Sequence, residues 1–146
     1  MNEDNKREIW AVGGGKGGIG KSLIVANMSI VLAQRGKKVI LIDADLGGAN
    51  LHTCLGIPQP KATLGDFLSR RVSRIEDTIV ETGIPNLGLI SGAQEILGAA
   101  NPKHSQKIRL LRTIRSLNVD FILVDLGSGT SFNILDFFLV SDHGLL

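Results

Sequence analysis

The ten residues Gly13–Ser22, with the sequence GGGKGGIGKS, constrain the fold more than any other part of the chain. They contain six glycines and two lysines, and they directly follow the apolar run Ile9–Val12. From Gly15 to Ser22 they satisfy the spacing G-x-x-x-x-G-K-[ST], which is typical of a phosphate-binding loop between a strand and a helix. The sequence therefore predicts a strand, a phosphate-binding loop and a helix, in this order.

The residue types in this loop suit the binding of a nucleotide. Glycines let backbone N–H groups turn toward an anion, and the N-terminus of the following helix adds partial positive charge. Lys21 is expected to reach the β- and γ-phosphates, while Ser22 offers its hydroxyl to Mg²⁺. We expect a nucleoside triphosphate with Mg²⁺ as the ligand, and we expect Gly127 to donate its N–H to the γ-phosphate. The loop residues expected to bind the nucleotide are Gly15, Lys16, Gly17, Gly18, Ile19, Gly20, Lys21 and Ser22.

Two acidic residues that follow apolar strands complete the predicted site. Asp125 ends the run FILVD, the form of a Walker B strand, and is expected to hold Mg²⁺ opposite Ser22. Asp45 lies just beyond the apolar run that ends at Asp43, where it can orient the attacking water or assist the metal shell. Ser22, Asp45 and Asp125 are thus the predicted metal site. For Asp43, a functional role and an ordinary loop position remain equally open.

A dinucleotide-binding interpretation competes with the phosphate-loop interpretation. Gly13, Gly15 and Gly18 match G-x-G-x-x-G, and Asp43 stands about where a ribose-binding acid would follow. This Rossmann-type NAD interpretation leaves the Gly-Lys-Ser end of the loop and Asp125 unexplained. It is therefore the weaker hypothesis.

Strands and helices alternate along the rest of the chain, which predicts an α/β fold with a doubly wound, mostly parallel sheet and flanking helices. The helix after the loop is apolar nearly all round, so we expect it to be covered on most sides. The predicted strands are Ile9–Val12, Val39–Asp45, Asn86–Gly92 and a strand with its loop over Asp120–Gly129. The predicted helices are Lys21–Arg35, a short helix after a loop within residues 56–68, Pro102–Leu117, with Ile108, Leu111, Ile114 and Leu117 on one side, and Ile134–Val140.

The length of 146 residues suits one domain. Gly144–Leu146 has the composition of a strand that is just beginning. We therefore expect residues 1–146 to be the N-terminal part of a single, longer P-loop domain.

Composition limits the classes of function. The net charge of +2 favours neither nucleic acid nor a membrane surface, and the single cysteine, Cys54, excludes an internal disulfide. The polar N-terminus lacks a secretory signal, and the longest apolar run, Leu23–Ala33, is too short to span a bilayer. These features predict a cytoplasmic protein, with Cys54 as a small buried apolar residue.

Three separated segments resemble the MinD/ParA family of P-loop ATPases. KGGIGKS, with Lys16, resembles that family's deviant Walker A motif; VILIDADLGGANL resembles its switch I segment, and FILVDLGSGTS its Walker B and switch II segment. The resemblance implies that Lys16 crosses an ATP-sandwiched homodimer and touches the partner's phosphates. With Lys21 and Asp45, it would form the catalytic set.

The resemblance implies a slow Mg²⁺-ATPase that acts as a molecular switch. It is closest to MinD-like ATPases that place septa or flagella, and such a switch implies a protein regulator. Partition ATPases that place DNA or cargo, iron–sulfur carriers and cobyrinic-acid-amidating enzymes share the nucleotide core and stay open as alternatives. Contact with a membrane, including peripheral attachment of the full-length protein, or with DNA would depend on residues beyond 146.

Overall fold

The computed structural model describes residues 7–18, 20–45, 48, 50–92, 102–127 and 132–146, with the side chains of 132–134 excepted. Strands and helices alternate along these residues. The strands are β1 (Glu8–Val12), β2 (Val39–Asp43), β3 (Ile79–Glu81), β4 (Leu87–Ile90), β5 (Phe121–Asp125) and β6 (His143–Leu145). The helices are α1 (Lys21–Gln34), α2 (Leu51–Cys54), α3 (Leu64–Leu68), α4 (His104–Ser116) and α5 (Phe132–Val140), with one 3₁₀ turn at Ile75–Thr78.

Within the described residues the strands form one six-stranded sheet in the order β3-β4-β2-β5-β1-β6. All neighbours are parallel except β3, which runs antiparallel to β4. Asp125 is in register with Val12 on one side and with Asp43 on the other. The carboxyl ends of the three central strands therefore meet at one edge of the sheet, the place where open α/β sheets bind ligands.

Helices cover both faces of this sheet, as the doubly wound prediction requires. All five residues of β2 are buried, because its alternate side chains enter two separate apolar clusters. Ile40 and Ile122 pack with α3 and α4 on one face, while Leu41 and Leu123 pack with α1 on the other. A strand buried on both faces reads as a continuous apolar run, which is why VILID was recognisable.

The prediction that α1 is covered on most sides was wrong. Val25 is fully buried, but Leu23, Ile24 and Val31 are 62%, 54% and 46% exposed. These exposed side chains line an open groove together with Trp10 of β1. Only one side of α1 faces the sheet. Because apolar residues occur nearly all round the helix, its sequence does not indicate which side is buried.

The apolar side predicted for α4 is only partly buried. Leu110, Ile114 and Leu117 are buried, whereas Ile108 is 38% exposed. Positions 110, 114 and 117 follow the i, i+4, i+7 spacing of a helix face. This apolar set describes the buried side of the helix better than the set that includes Ile108.

Other local predictions were shifted or missed. The second strand ends at Asp43 rather than Asp45, and the short elements α2 and β3 were not predicted. Cys54 is exposed rather than buried, because α2 directs Leu51 and His52 inward instead. The strand expected at the end of the chain is present as β6, hydrogen-bonded to β1. Among the described residues, each helix is too short or too polar to cross a lipid bilayer.

Candidate functional site

The glycine-rich loop joins β1 to α1 at the carboxyl edge of the sheet. Gly18 and Gly20 have φ angles of 75° and 88°, in the left-handed region that favours glycine. Among the described residues other than their chain neighbours, none has a heavy atom within 4 Å of where a Cβ would sit on Gly15, Gly18 or Gly20. The backbone of the loop is therefore accessible to an anion from outside. Ile19, a predicted binding residue, lies outside the described residues.

The N-terminus of α1 opens directly onto this loop. Its N-cap residue is Gly20, which has no side chain that could cap the helix. The first N–H groups of a helix have no partner within the helix, and together with the helix dipole they attract anions. The 14-residue helix is long enough to present such an end.

The two lysines of the loop differ in their surroundings. Lys21 is buried, with 9% of its surface exposed, and its Nζ donates a hydrogen bond of 2.7 Å to the carbonyl oxygen of Lys16. The bond spans the loop from its beginning to the start of α1. Lys16 itself is exposed, and Ser22 is half-buried in the first turn of α1. The structure thus holds one cation inside the loop and one at its outer surface.

Asp125 is buried at the end of β5, with 2% of its surface exposed. Its Oδ1 accepts a hydrogen bond of 3.3 Å from the N–H of Gly127. Leu126 N donates to the carbonyl oxygen of Val12 and Ala44 N to that of Asp125, so strand-like pairing continues past the sheet edge. These bonds fix the carboxylate beside the strand that leads into the glycine-rich loop.

Asp43 ends the neighbouring strand and is 1% exposed. Its Oδ1 accepts from Asp45 N at 3.1 Å, and its Oδ2 accepts from Asn50 N at 2.9 Å and Leu51 N at 3.0 Å. Burial raises the pKa of this carboxyl to about 6; the nearby Asp125 charge adds to the effect, and the three backbone hydrogen bonds oppose it. The sequence pattern alone leaves the role of Asp43 open. Its position as the last residue of a wholly apolar strand was the available signal.

Asp45 brings the segments after β2 and β5 into contact. Its Oδ1 accepts a hydrogen bond of 3.1 Å from Gly48 N. A Cβ placed on Gly127 would lie 2.8 Å from Asp45 Cγ, and Gly127 has a φ of 65°. Any larger residue at 127 would meet both the Asp45 carboxylate and an unfavourable backbone conformation.

The residues at this edge suit a magnesium nucleotide. The glycine-rich loop and the uncapped start of α1 can take phosphates, and Ser22, Asp45 and Asp125 offer the oxygen atoms that Mg²⁺ prefers. In the described part of the chain, no three acidic, histidine or cysteine side chains converge tightly enough to hold a metal ion by themselves. A Mg²⁺ ion here would therefore need phosphate oxygens and water, as is usual for this ion in nucleotide sites.

Comparison with known proteins places these features in a family. The family model described as "ParA: NUBPL iron-transfer P-loop NTPase" matches residues 5–140. The antiactivator FleN of Pseudomonas aeruginosa is 33% identical over 141 residues, which cover 95% of this chain and 49% of FleN. An iron–sulfur cluster carrier protein of Aquifex aeolicus is 32% identical over 126 residues, covering 85% of this chain and 34% of the carrier.

A solved structure matches the fold closely. The septum site-determining protein MinD of Pyrococcus horikoshii, complexed with Mg-ADP, superposes with a TM-score of 0.83 and 29% identity, covering 94% of this chain and 56% of that one. The chain thus spans about half the length of FleN and of this MinD. The fold prediction and the MinD/ParA resemblance are both confirmed. The chain belongs to the ParA family of P-loop NTPases.

Proposed function

We propose that the protein binds Mg²⁺-ATP, hydrolyses it slowly, and acts as a molecular switch that forms a homodimer around ATP. The observation that carries this proposal is the open glycine-rich loop in front of the uncapped N-terminus of α1, with Asp125 buried on the strand beside it. Membership of the ParA family and the Mg-ADP complex of the similar MinD support the same ligand.

The loop residues bind the phosphates through their backbone N–H groups, and Lys21 adds a charge toward the β- and γ-phosphates. The Lys21 ammonium donates a hydrogen bond to the Lys16 carbonyl oxygen. This bond keeps the side chain folded over the loop, so binding needs little reorganisation. Ser22 and Asp125 would hold Mg²⁺, with Asp45 assisting its shell. The ion would neutralise phosphate charge and orient the phosphoryl group.

Asp45 is the residue that we assign to orienting the attacking water. It contacts Gly127, whose N–H donates to Asp125 Oδ1 and would donate to the γ-phosphate instead when ATP binds. The two segments that flank the reacting phosphate would therefore move together. Loss of the γ-phosphate would release Gly127 and, through it, Asp45, which is the physical basis for a switch.

Lys16 is assigned to the partner's nucleotide. Its exposure leaves the ammonium available to a second subunit, while its carbonyl oxygen is fixed by Lys21. A cation that reaches phosphates only across an interface stabilises the dimer when ATP is bound and does less so after hydrolysis.

Spatial positioning is the biological use that we favour, because a septum site-determining protein matches over nearly the whole chain. The similar iron–sulfur carrier supports cluster transfer as a second candidate. Against it, Cys54 is the single cysteine of this sequence, so a cluster would need thiolates from elsewhere. The proposed positioning role includes a protein regulator and allows for contact with a membrane or DNA.

Nucleotide binding tests the proposal directly. Titration of the complete gene product with a fluorescent ATP analogue and Mg²⁺ should give saturable binding that ATP displaces and NAD does not. Lys21→Ala should weaken this binding at least tenfold, while the exposed Lys37→Ala should leave it unchanged. Unchanged affinity in Lys21→Ala, or displacement by NAD alone, would overturn the assignment.

A further inference from the structure

The buried carboxylate of Asp43 accepts three hydrogen bonds from the backbone. One oxygen takes the N–H of Asp45, and the other takes the N–H groups of Asn50 and Leu51. Three donors on two oxygens at 2.9–3.1 Å leave this group poorly placed to bind a metal or a phosphate. The carboxylate of Asp43 therefore fixes the local backbone rather than binding a ligand.

The donors come from two points that are separated along the chain. Asp45 follows the strand directly, whereas Asn50 and Leu51 lie where the chain begins α2. Both ends of the segment that follows β2 are thus tied to one carboxylate. The side chain of Asn50 does not cap α2, so Asp43 supplies the acceptor for the first N–H groups of that helix.

Of the residues that donate to Asp43, Leu51 is packed in the core and Asp45 carries a carboxylate of the proposed site. Leu51 is fully buried in the cluster that α1 forms with the sheet. Asp45, only two residues from Asp43, contacts Gly127 and accepts from Gly48 N. A displacement of the Asp45 backbone by a fraction of an ångström would move its carboxylate relative to Gly127.

We propose that Asp43 is a positioning residue, whose carboxylate ties both ends of the segment after β2 and so holds Asp45 against Gly127 for ATP hydrolysis. The inference rests on the proposed ATPase function. It assigns Asp43 a role in turnover rather than in nucleotide affinity, since the phosphate-binding loop and α1 do not use its carboxylate. Small misplacements of catalytic groups reduce rates strongly while leaving binding nearly intact.

The test is the steady-state turnover of Mg²⁺-ATP by the complete gene product carrying Asp43→Asn. The amide nitrogen of asparagine cannot accept an N–H, so one of the two ties is lost. We expect kcat to fall at least tenfold and KM for ATP to change less than twofold. Asp142→Asn is the matched control, because Asp142 accepts the Ile9 N–H at 2.8 Å at the opposite edge of the sheet. It should keep the wild-type kcat.

A purely structural role for Asp43 would give a different result. We therefore combine Asp43→Asn with Asp45→Asn and measure single-turnover rates with the protein in excess over ATP. If Asp43 acts through Asp45, adding Asp43→Asn to the Asp45→Asn protein should lower the rate less than twofold. The proposal would be overturned if Asp43→Asn lowered the single-turnover rate equally in the wild-type and Asp45→Asn proteins. It would also be overturned by an unchanged kcat, or by a rise in KM with no fall in kcat.

The controls separate this inference from the proposed function. A wild-type protein that neither binds nor hydrolyses ATP would overturn the ATPase assignment and the role of Asp43 with it. A wild-type protein that turns over ATP, with Asp43→Asn equally active, would overturn only the role of Asp43. If the asparagine variant does not fold, Asp43→Glu is measured instead. Glutamate keeps the negative charge but moves both carboxylate oxygens away from the backbone N–H groups. The Asp43→Glu protein should therefore show the same fall in kcat with an unchanged KM.

Discussion

Gly127 leaves just enough room for the carboxylate of Asp45. A Cβ on Gly127 would approach Asp45 Cγ and Oδ2 to 2.8 Å, closer than unbonded atoms of this kind are found. These two residues belong to segments that follow neighbouring strands, β2 and β5, which are joined in register at Asp43 and Asp125. The contact is the physical link between the two segments on either side of the proposed γ-phosphate position.

Gly127→Ala should therefore lower the rate of ATP hydrolysis more than it lowers the affinity for ATP. The new methyl group would push Asp45 aside, and we expect ATP turnover to fall at least tenfold while affinity changes much less. Gly83→Ala is the matched control, because Gly83 has a similar φ of 78° but, its chain neighbours aside, no atom of the described residues lies within 4 Å of its Cβ position. Both variants should lose roughly 1 kcal/mol of stability from backbone strain. Equal turnover in the two variants would show that the Asp45 contact is irrelevant.

Removal of the carboxylate itself gives a complementary prediction. Asp45→Ala should retain nucleotide binding and lose hydrolysis, since the phosphate-binding loop is left intact. Binding of a fluorescent ATP analogue and release of phosphate are the two measurements. A large loss of affinity would instead make Asp45 a principal ligand of the metal.

Lys16→Ala should abolish ATP-dependent dimerisation. The exposed ammonium is proposed to act only across the interface, so ATP affinity of the monomer should change little. Analytical ultracentrifugation with Mg²⁺-ATP measures the outcome, and Lys61→Ala, another exposed lysine, serves as the control. Dimerisation that survives in the Lys16 variant would remove its role in the interface.

The raised pKa of Asp43 predicts a pH dependence of stability. Burial moves this pKa from 3.8 to about 6, so between these values the folded chain holds a proton that the unfolded chain has released. The free energy of unfolding should therefore fall as pH rises through this window, by roughly 3 kcal/mol in all. Urea unfolding from pH 4 to 7 in EDTA, with Asp43→Asn as reference, isolates the effect. A difference between the two proteins that does not vary with pH would contradict it.

The two faces of α1 should respond differently to truncation. Val25 is fully buried and Val31 is 46% exposed, on the same helix. In the 146-residue chain, Val25→Ala should cost about 2 kcal/mol through lost burial and a cavity, and Val31→Ala less than about 0.5 kcal/mol. Urea denaturation gives both values. Equal costs would mean that the exposed groove of α1 is covered in solution.

The sequence predicted those parts of the site that are local. The spacing from Gly15 to Ser22 and the strand before Asp125 are contiguous patterns, and the structure places both at the same edge. The contact between Asp45 and Gly127 could not be predicted, because the two residues are 82 positions apart. Their approach depends on the register of β2 with β5 and on the absence of a side chain at 127.

The distinction between Asp43 and Asp45 also needed the structure. Both are acids after the same apolar run, and only the return of the chain at Asn50 and Leu51 shows that Asp43 accepts hydrogen bonds from both ends of the segment after β2. The exposed face of α1 was missed for a related reason. Apolar residues surround the helix, so its sequence does not say which side packs on the sheet.

The central claim is that ATP, rather than ADP, joins two copies of the protein. Multi-angle light scattering of the complete gene product with Mg²⁺-ATP and with Mg²⁺-ADP tests it most directly, using Asp45→Ala to prevent hydrolysis during the run. We predict the mass of a dimer with ATP and of a monomer with ADP. The same mass in both nucleotides would contradict the account of a dimerising switch.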